Sequence, residues 1–143
     1  MTEILTFQSS CLADTNKIGQ KIAKTIRFPS CIYLHADMGL GKTTLCKSII
    51  AALGSQQTVT SPTYNLVQEY RVKEGNVYHM DLYRLEDPSE LEFLALPDLW
   101  SSNSLFLIEW PQNGDGFLQL ATHEITLQKV SGSDIRNITL KVC

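Results

Sequence analysis

The run His35-Ala36-Asp37-Met38-Gly39-Leu40-Gly41-Lys42-Thr43-Thr44 limits what this chain can fold into more than any other segment. The β-branched, apolar stretch Cys31-Ile32-Tyr33-Leu34 feeds into it and an apolar-periodic stretch follows it, so a strand ends in a loop that restarts as a helix. That is the setting of a phosphate-binding loop. Gly39 and Gly41 give the backbone the freedom to turn successive N–H groups inward at phosphate oxygens. Lys42 then sets an ammonium against the β- and γ-phosphates, Thr43 offers a hydroxyl to Mg²⁺, and the new helix aims its positive end at the anion. The pattern G-x-x-x-x-G-K-[ST] asks for glycine where this chain has Ala36. Alanine fits if its φ is negative. The bland alternative is a chance G-K-T-T on an ordinary strand-to-helix turn.

Length and charge set the frame. The 143 residues are 43% hydrophobic and 19% charged, which fits one domain (1–143) burying roughly two-thirds of its unfolded surface. No apolar run approaches the ~18 residues of a membrane span and no cleavable leader is evident, so a cytoplasmic protein without a membrane partner is expected. Cys11, Cys31, Cys46 and Cys143 show neither C-x-x-C nor metal-ligand spacing and read as scattered reduced thiols. A net charge of −3 argues against an autonomous nucleic-acid binder. The nearest basic cluster, Lys17, Lys21, Lys24 and Arg27, falls opposite Ile18, Ile22, Ala23 and Ile26 on one helix and reads as a solvated face.

Along the chain, Ile4 to Phe7 reads as a short strand, and Asp14-Thr15 is placed to cap a helix that runs to about Arg27, before Pro29. The helix after the loop spans about Lys42 to Leu53, with Gly54 as its C-cap. Thr58 to Thr60 suggests a brief strand and Ser61 to Tyr64 a loop. Leu66 to Arg71 and Val77 to Leu82 pair as a hairpin through Lys73-Glu74-Gly75-Asn76. Asp87-Pro88-Ser89-Glu90 starts a helix that carries Leu91, Phe93, Leu94 and Leu96 and ends at Pro97. Leu105-Phe106-Leu107-Ile108 is a strand buried on both faces. His123 to Gln128 and Ile135 to Val142 close the chain around a Ser131 to Asp134 turn. The expected fold is α/β and P-loop NTPase-like, a mixed sheet with a partly parallel core, antiparallel hairpin strands and helices packed on the sheet.

A phosphate loop needs an acidic partner for its metal, usually at the end of a buried neighbouring strand. Four apolar residues followed by Glu109 deliver a carboxylate to that edge. Glu109 is open to three uses there: binding Mg²⁺ directly, binding it through water, or orienting the attacking water. It is otherwise an ordinary strand-end carboxylate. Asp81, at the end of the second hairpin strand, reads equally as a metal or water-positioning group and as turn chemistry. His79 shares its strand face and reads first as a structural histidine. Ser61-Pro62-Thr63-Tyr64 stands where many nucleotide hydrolases keep a segment that senses the γ-phosphate, and reads equally as a rigid proline turn. Trp110 either borders the metal edge or fills core. There is no N-K-x-D segment for guanine and no arginine-rich lid. The residues alone reach a Mg²⁺-dependent purine nucleotide phosphatase or transferase, with a small-molecule kinase and a non-hydrolysing nucleotide sensor as rivals.

Four blocks, Ala36 to Thr44, Ser61-Pro62-Thr63-Tyr64-Asn65-Leu66-Val67, His79-Met80-Asp81-Leu82-Tyr83-Arg84-Leu85 and Ile108-Glu109-Trp110-Pro111, together resemble the TsaE (YjeE) family over nearly the whole chain. The resemblance implies a bacterial ATPase that serves threonylcarbamoyl-adenosine formation on tRNA with TsaB and TsaD, the tRNA being held by a partner. Carried over position by position, it implies that Lys42 and the backbone of Gly39, Leu40, Gly41, Thr43 and Thr44 bind the phosphates of ATP, and that Thr43 and Glu109 hold Mg²⁺. Lys42, Asp81 and Glu109 would be catalytic, with Asp81 needed for hydrolysis. Thr15 and Arg136 would lie near the nucleoside. Ser61, Pro62, Thr63 and Tyr64 would form one switch-like segment, and Asp81 to Leu85, with Arg84, a second.

Overall fold

In a computed structural model, residues 3–57 and 66–143 are described, and they form one twisted mixed sheet with helices. The expectations for Thr58 to Thr60 and for Ser61 to Tyr64 lie outside the described residues. The elements run β1 (Ile4–Ser9), α1 (Leu12–Thr25), β2 (Ser30–His35), α2 (Lys42–Ala52), β3 (Val67–Val72) and β4 (Gly75–Asp81). A 3₁₀ helix (Pro88–Leu94), α3 (Leu96–Leu99), β5 (Ser104–Glu109), a 3₁₀ turn (Pro111–Gly114), β6 (His123–Lys129) and β7 (Arg136–Val142) follow. Strand order is β1-β7-β6-β2-β5-β4-β3. The inner pairs β4–β5, β5–β2 and β2–β6 are parallel, and the outer pairs β3–β4, β6–β7 and β7–β1 are antiparallel.

Burial explains this order. All six residues of β5 are buried, as expected of a parallel strand covered on both faces. On one face α1 and α2 cover Ile32, Leu34, Leu105, Leu107, Ile125 and Leu127. On the other, Tyr78, Met80, Phe106 and Ile108 meet Leu85, Leu91, Leu96 and the indoles of Trp100 and Trp110. Lys17, Lys21, Lys24 and Arg27 are exposed beside buried Ile18, Ile22 and Ile26, the solvated face that the pattern implies.

Three local readings are corrected. First, α1 starts at Leu12, and Asp14 works from inside the first turn, where its carboxylate accepts from the Ser10 backbone N–H and hydroxyl. Second, the hairpin turn is tighter than the four residues suggested, because Val72 already pairs with Gly75. An added Cβ at Gly75 would stand 2.0 Å from the Asn103 carbonyl oxygen, so glycine is required for that approach. Third, the helix expected from Asp87 to Leu96 is a 3₁₀ helix broken at Ala95, which adopts φ 49°. Pro97 has no N–H to continue that helix. The chain restarts, placing Pro97 in the first turn of α3, where no donor is needed.

The two helices that carry the loop's support meet at Gly19. A Cβ there would stand 2.4 Å from Ser48 Cβ. Gly19→Val is therefore expected to destabilise the protein by about 1–3 kcal/mol, since overpacking outweighs a helix-propensity gain of under about 1 kcal/mol. A lowered denaturant midpoint at unchanged slope is the check; an unchanged midpoint would mean that the helices separate freely.

Candidate functional site

The parallel strands β4, β5 and β2 all end at one edge of the sheet, and the loop after β2 lies across it. Gly39 and Gly41 take φ 82° and 98°, a region that L side chains rarely adopt, whereas Ala36 keeps a negative φ and so fits its position. Gly41 is the N-cap of α2, and no side chain caps the helix, which leaves its first N–H groups facing the loop. Lys42 is 6% exposed. Its Nζ donates to the Ala36 carbonyl at 2.7 Å and the Asp37 carbonyl at 3.4 Å, and lies 4.1 Å from the centre of the Trp110 ring. Burial pulls the ammonium's pKa down, against the charges of Glu109, Asp81 and Asp37 that hold it up.

Helix α2 and strand β5 bring the next pair together. Thr43 Oγ1 donates to both carboxylate oxygens of Glu109, at 2.9 and 3.1 Å. Asp81 lies opposite Glu109 in the β4–β5 register, so two carboxyl groups stand side by side at the strand ends. Burial raises the Asp81 pKa, as does the charge of Glu109, while the Tyr83 backbone N–H donated at 3.1 Å opposes the shift. Asp81 therefore does turn chemistry and faces the loop at once. Gly39, Gly41, Lys42, Thr43, Thr44, Asp81, Glu109 and Trp110 line one groove of about 310 Å³.

The set suits a hard cation beside a phosphate chain. Hydroxyl and carboxylate oxygens within hydrogen-bond reach of one another are donors that Mg²⁺ takes. Thr43 and Glu109 would hold it, and its chemistry would be to neutralise charge on phosphate oxygens.

Other residues fall outside this groove. Leu40 packs against the core and lines a second groove with Asp37, Lys129 and Asn137. Thr15 is buried at the β1–α1 corner, sharing a 2.7 Å hydrogen bond with Ser9. Ser9 lies opposite Arg136 across β1 and β7, so Thr15 and Arg136 occupy one corner of the same sheet edge. The Arg136 Nε is buried without a partner among the described residues. Arg84 is exposed, one residue beyond Tyr83. Ser61, Pro62, Thr63 and Tyr64 lie outside the described residues.

Sequence reading placed His79 as structural, but it touches the site. Its Nε2 lies 2.6 Å from Glu109 Oε2, both side chains being buried. The signal was present as shared strand parity with Asp81; what was missing was the register that sets β4 against β5. Trp110 borders the loop groove and also packs against the core. It adopts φ 56°, a conformation that costs about 1–3 kcal/mol in a non-glycine residue and is retained where the surroundings demand it. Its ring also lies 5.1 Å from that of Tyr83, so it bridges the loop lysine to the segment after Asp81.

Trp110 emission is expected to change if nucleotide binds the loop, because its phosphates would draw the Lys42 ammonium off the indole. A Trp100→Phe variant isolates the signal and keeps an aromatic ring against Phe106, which Trp100 meets edge to face at 5.1 Å. An emission spectrum insensitive to saturating ATP–Mg²⁺ would contradict this arrangement.

Comparison with known proteins points to one family. Residues 9–138 match the family model described as threonylcarbamoyl adenosine biosynthesis protein TsaE. A protein of Haemophilus influenzae named tRNA threonylcarbamoyladenosine biosynthesis protein TsaE is 44% identical over 109 residues, which cover 76% of this chain and 68% of the relative. The Bacillus subtilis protein of the same name is 32% identical over 126 residues, covering 88% and 78%. The crystal structure of Bacillus subtilis YdiB superposes with a TM-score of 0.75 at 24% identity, covering 99% of this chain and 87% of that one, and shows the P-loop NTPase-like fold. Among the described residues no helix is long and apolar enough to cross a membrane.

Proposed function

Because the chain belongs to the TsaE family, we propose that it is the Mg²⁺-dependent ATPase of tRNA threonylcarbamoyladenosine biosynthesis and works with TsaB and TsaD in the cytoplasm. The observation that carries the ATPase reading is the Thr43 hydroxyl held on the Glu109 carboxylate beside the Lys42 ammonium. Lys42 and the loop N–H groups bind the phosphates of ATP. Asp81 positions the attacking water, and burial, which raises its pKa, makes it a stronger base than an exposed carboxylate. The Thr15 and Arg136 corner takes the nucleoside, at the same sheet edge as the loop. The acidic chain holds tRNA only through the complex, in line with its net charge of −3.

Among the described residues no arginine lines the loop groove to neutralise charge in the transition state. Such a group contributes ~10³-fold or more in related phosphoryl transfers. Arg84 is the internal candidate, exposed on the turn that Asp81 and Tyr83 shape. Docking of TsaB and TsaD reorders that turn and brings Arg84 to the phosphates. Arg84→Ala should still bind the partners yet lose their stimulation of phosphate release. Full stimulation of the variant would remove Arg84 from the mechanism.

A further inference from the structure

The side chains of Cys46, His79 and Glu109 meet behind the groove, each offering one ligand atom within 4.8 Å of the others, and all three are buried. We propose that these three residues form a binding site for a thiophilic divalent cation such as Zn²⁺, and that its occupation withdraws Glu109 from the phosphate-loop groove.

The placement follows from the fold. Thr43 and Cys46, three residues apart on α2, share a helix face. His79 shares the Asp81 face of β4, and Glu109 ends β5. Thiolate, imidazole and carboxylate are the donors of zinc sites, whereas Mg²⁺ takes oxygen alone. The two cations therefore select different partners for the one carboxylate they share. Three protein ligands leave a fourth position, which water fills from the groove that Glu109 borders.

Binding has two local costs. Burial pushes the Cys46 thiol well above its ordinary range, so the cation displaces a proton that leaves to bulk water. The Nε2 of His79 faces Glu109 and must turn its lone pair to the metal, which sends the ring proton to Nδ1. Nδ1 has no hydrogen-bond partner among the described residues. Outer partners of that kind are worth ~10–100-fold in affinity, so this site binds more weakly than a zinc site that has one. A weak site that shares a ligand with Mg²⁺ suits inhibition by excess thiophilic metal.

The test uses the full chain with Cys11→Ser and Cys143→Ser, which removes the exposed thiols. Cys31 is buried on the opposite face of the sheet. Titration with Co²⁺ is expected to give a thiolate-to-cobalt charge-transfer band that saturates at one equivalent, is displaced by Zn²⁺, and weakens at least tenfold on adding the near-isosteric Cys46→Ser. No such band, or a band that survives Cys46→Ser, overturns the site. The second arm rests on the ATPase reading: Zn²⁺ should raise the Mg²⁺ needed for half-maximal phosphate release, and should do so less in Cys46→Ser. Equal Zn²⁺ effects in both proteins overturn the withdrawal of Glu109. Cobalt binding needs no nucleotide, so failure of the ATPase reading and failure of the site are told apart.

Discussion

Lys42→Ala is expected to abolish measurable ATP binding. The ammonium donates to the Ala36 carbonyl at 2.7 Å and lies over the Trp110 ring, contacts that place it at the mouth of the loop. Transferred to the β- and γ-phosphates, it would make charge-assisted hydrogen bonds worth about 1.5–3 kcal/mol each. Losing two of them costs on the order of 10²–10⁴ in affinity. Calorimetric titration with ATP–Mg²⁺ reads this directly. Equal affinity in variant and parent would mean that the G-K-T-T run is accidental.

Glu109→Ala should lower Mg²⁺-dependent hydrolysis by ~10²–10³, because metal-borne charge stabilisation is worth several kcal/mol and the Thr43 hydroxyl alone is a poor anchor. The same change leaves His79 unpaired in a buried site, which costs about 1–3 kcal/mol of stability. Glu109→Gln separates the two effects. Its amide oxygen accepts from His79, so its melting temperature stays near the parent's while its Mg²⁺ requirement rises. Normal hydrolysis by Glu109→Ala at low Mg²⁺ would move the metal elsewhere. Thr43→Ala is expected to act in the same direction and less strongly, since it removes a neutral donor from the same cation.

The part of this site nearest in sequence was the part most readable there. A strand, two glycines, a lysine and a helix lie within one short stretch, and their spacing alone dictates that N–H groups converge. Glu109 was readable because an unbroken apolar run must be a buried strand and its first charged residue must mark the strand's end. The contact of His79 with Glu109 was not, because it depends on β4 and β5 pairing so that Asp81 meets Glu109 and His79 meets Leu107. Sequence fixes the parity of a strand but not its partner. Cys46 was hidden for a related reason: its spacing from the other cysteines carries no metal signal, and only the seating of α2 on the sheet brings it to His79 and Glu109. The break at Ala95 was missed because apolar spacing there suits a helix, and the missing N–H of Pro97 decided otherwise.

That the groove between the loop and Glu109 is a Mg²⁺-dependent ATP-hydrolysing site, slow alone and driven by its partners, is tested most directly by phosphate release from the purified chain with and without TsaB and TsaD. Slow release by the chain alone, a rise of ~10³-fold with both partners, and loss of that release in Glu109→Ala are the predicted results. ATP bound tightly but never hydrolysed in any combination, or full activity in the isolated chain unchanged by partners, would contradict it.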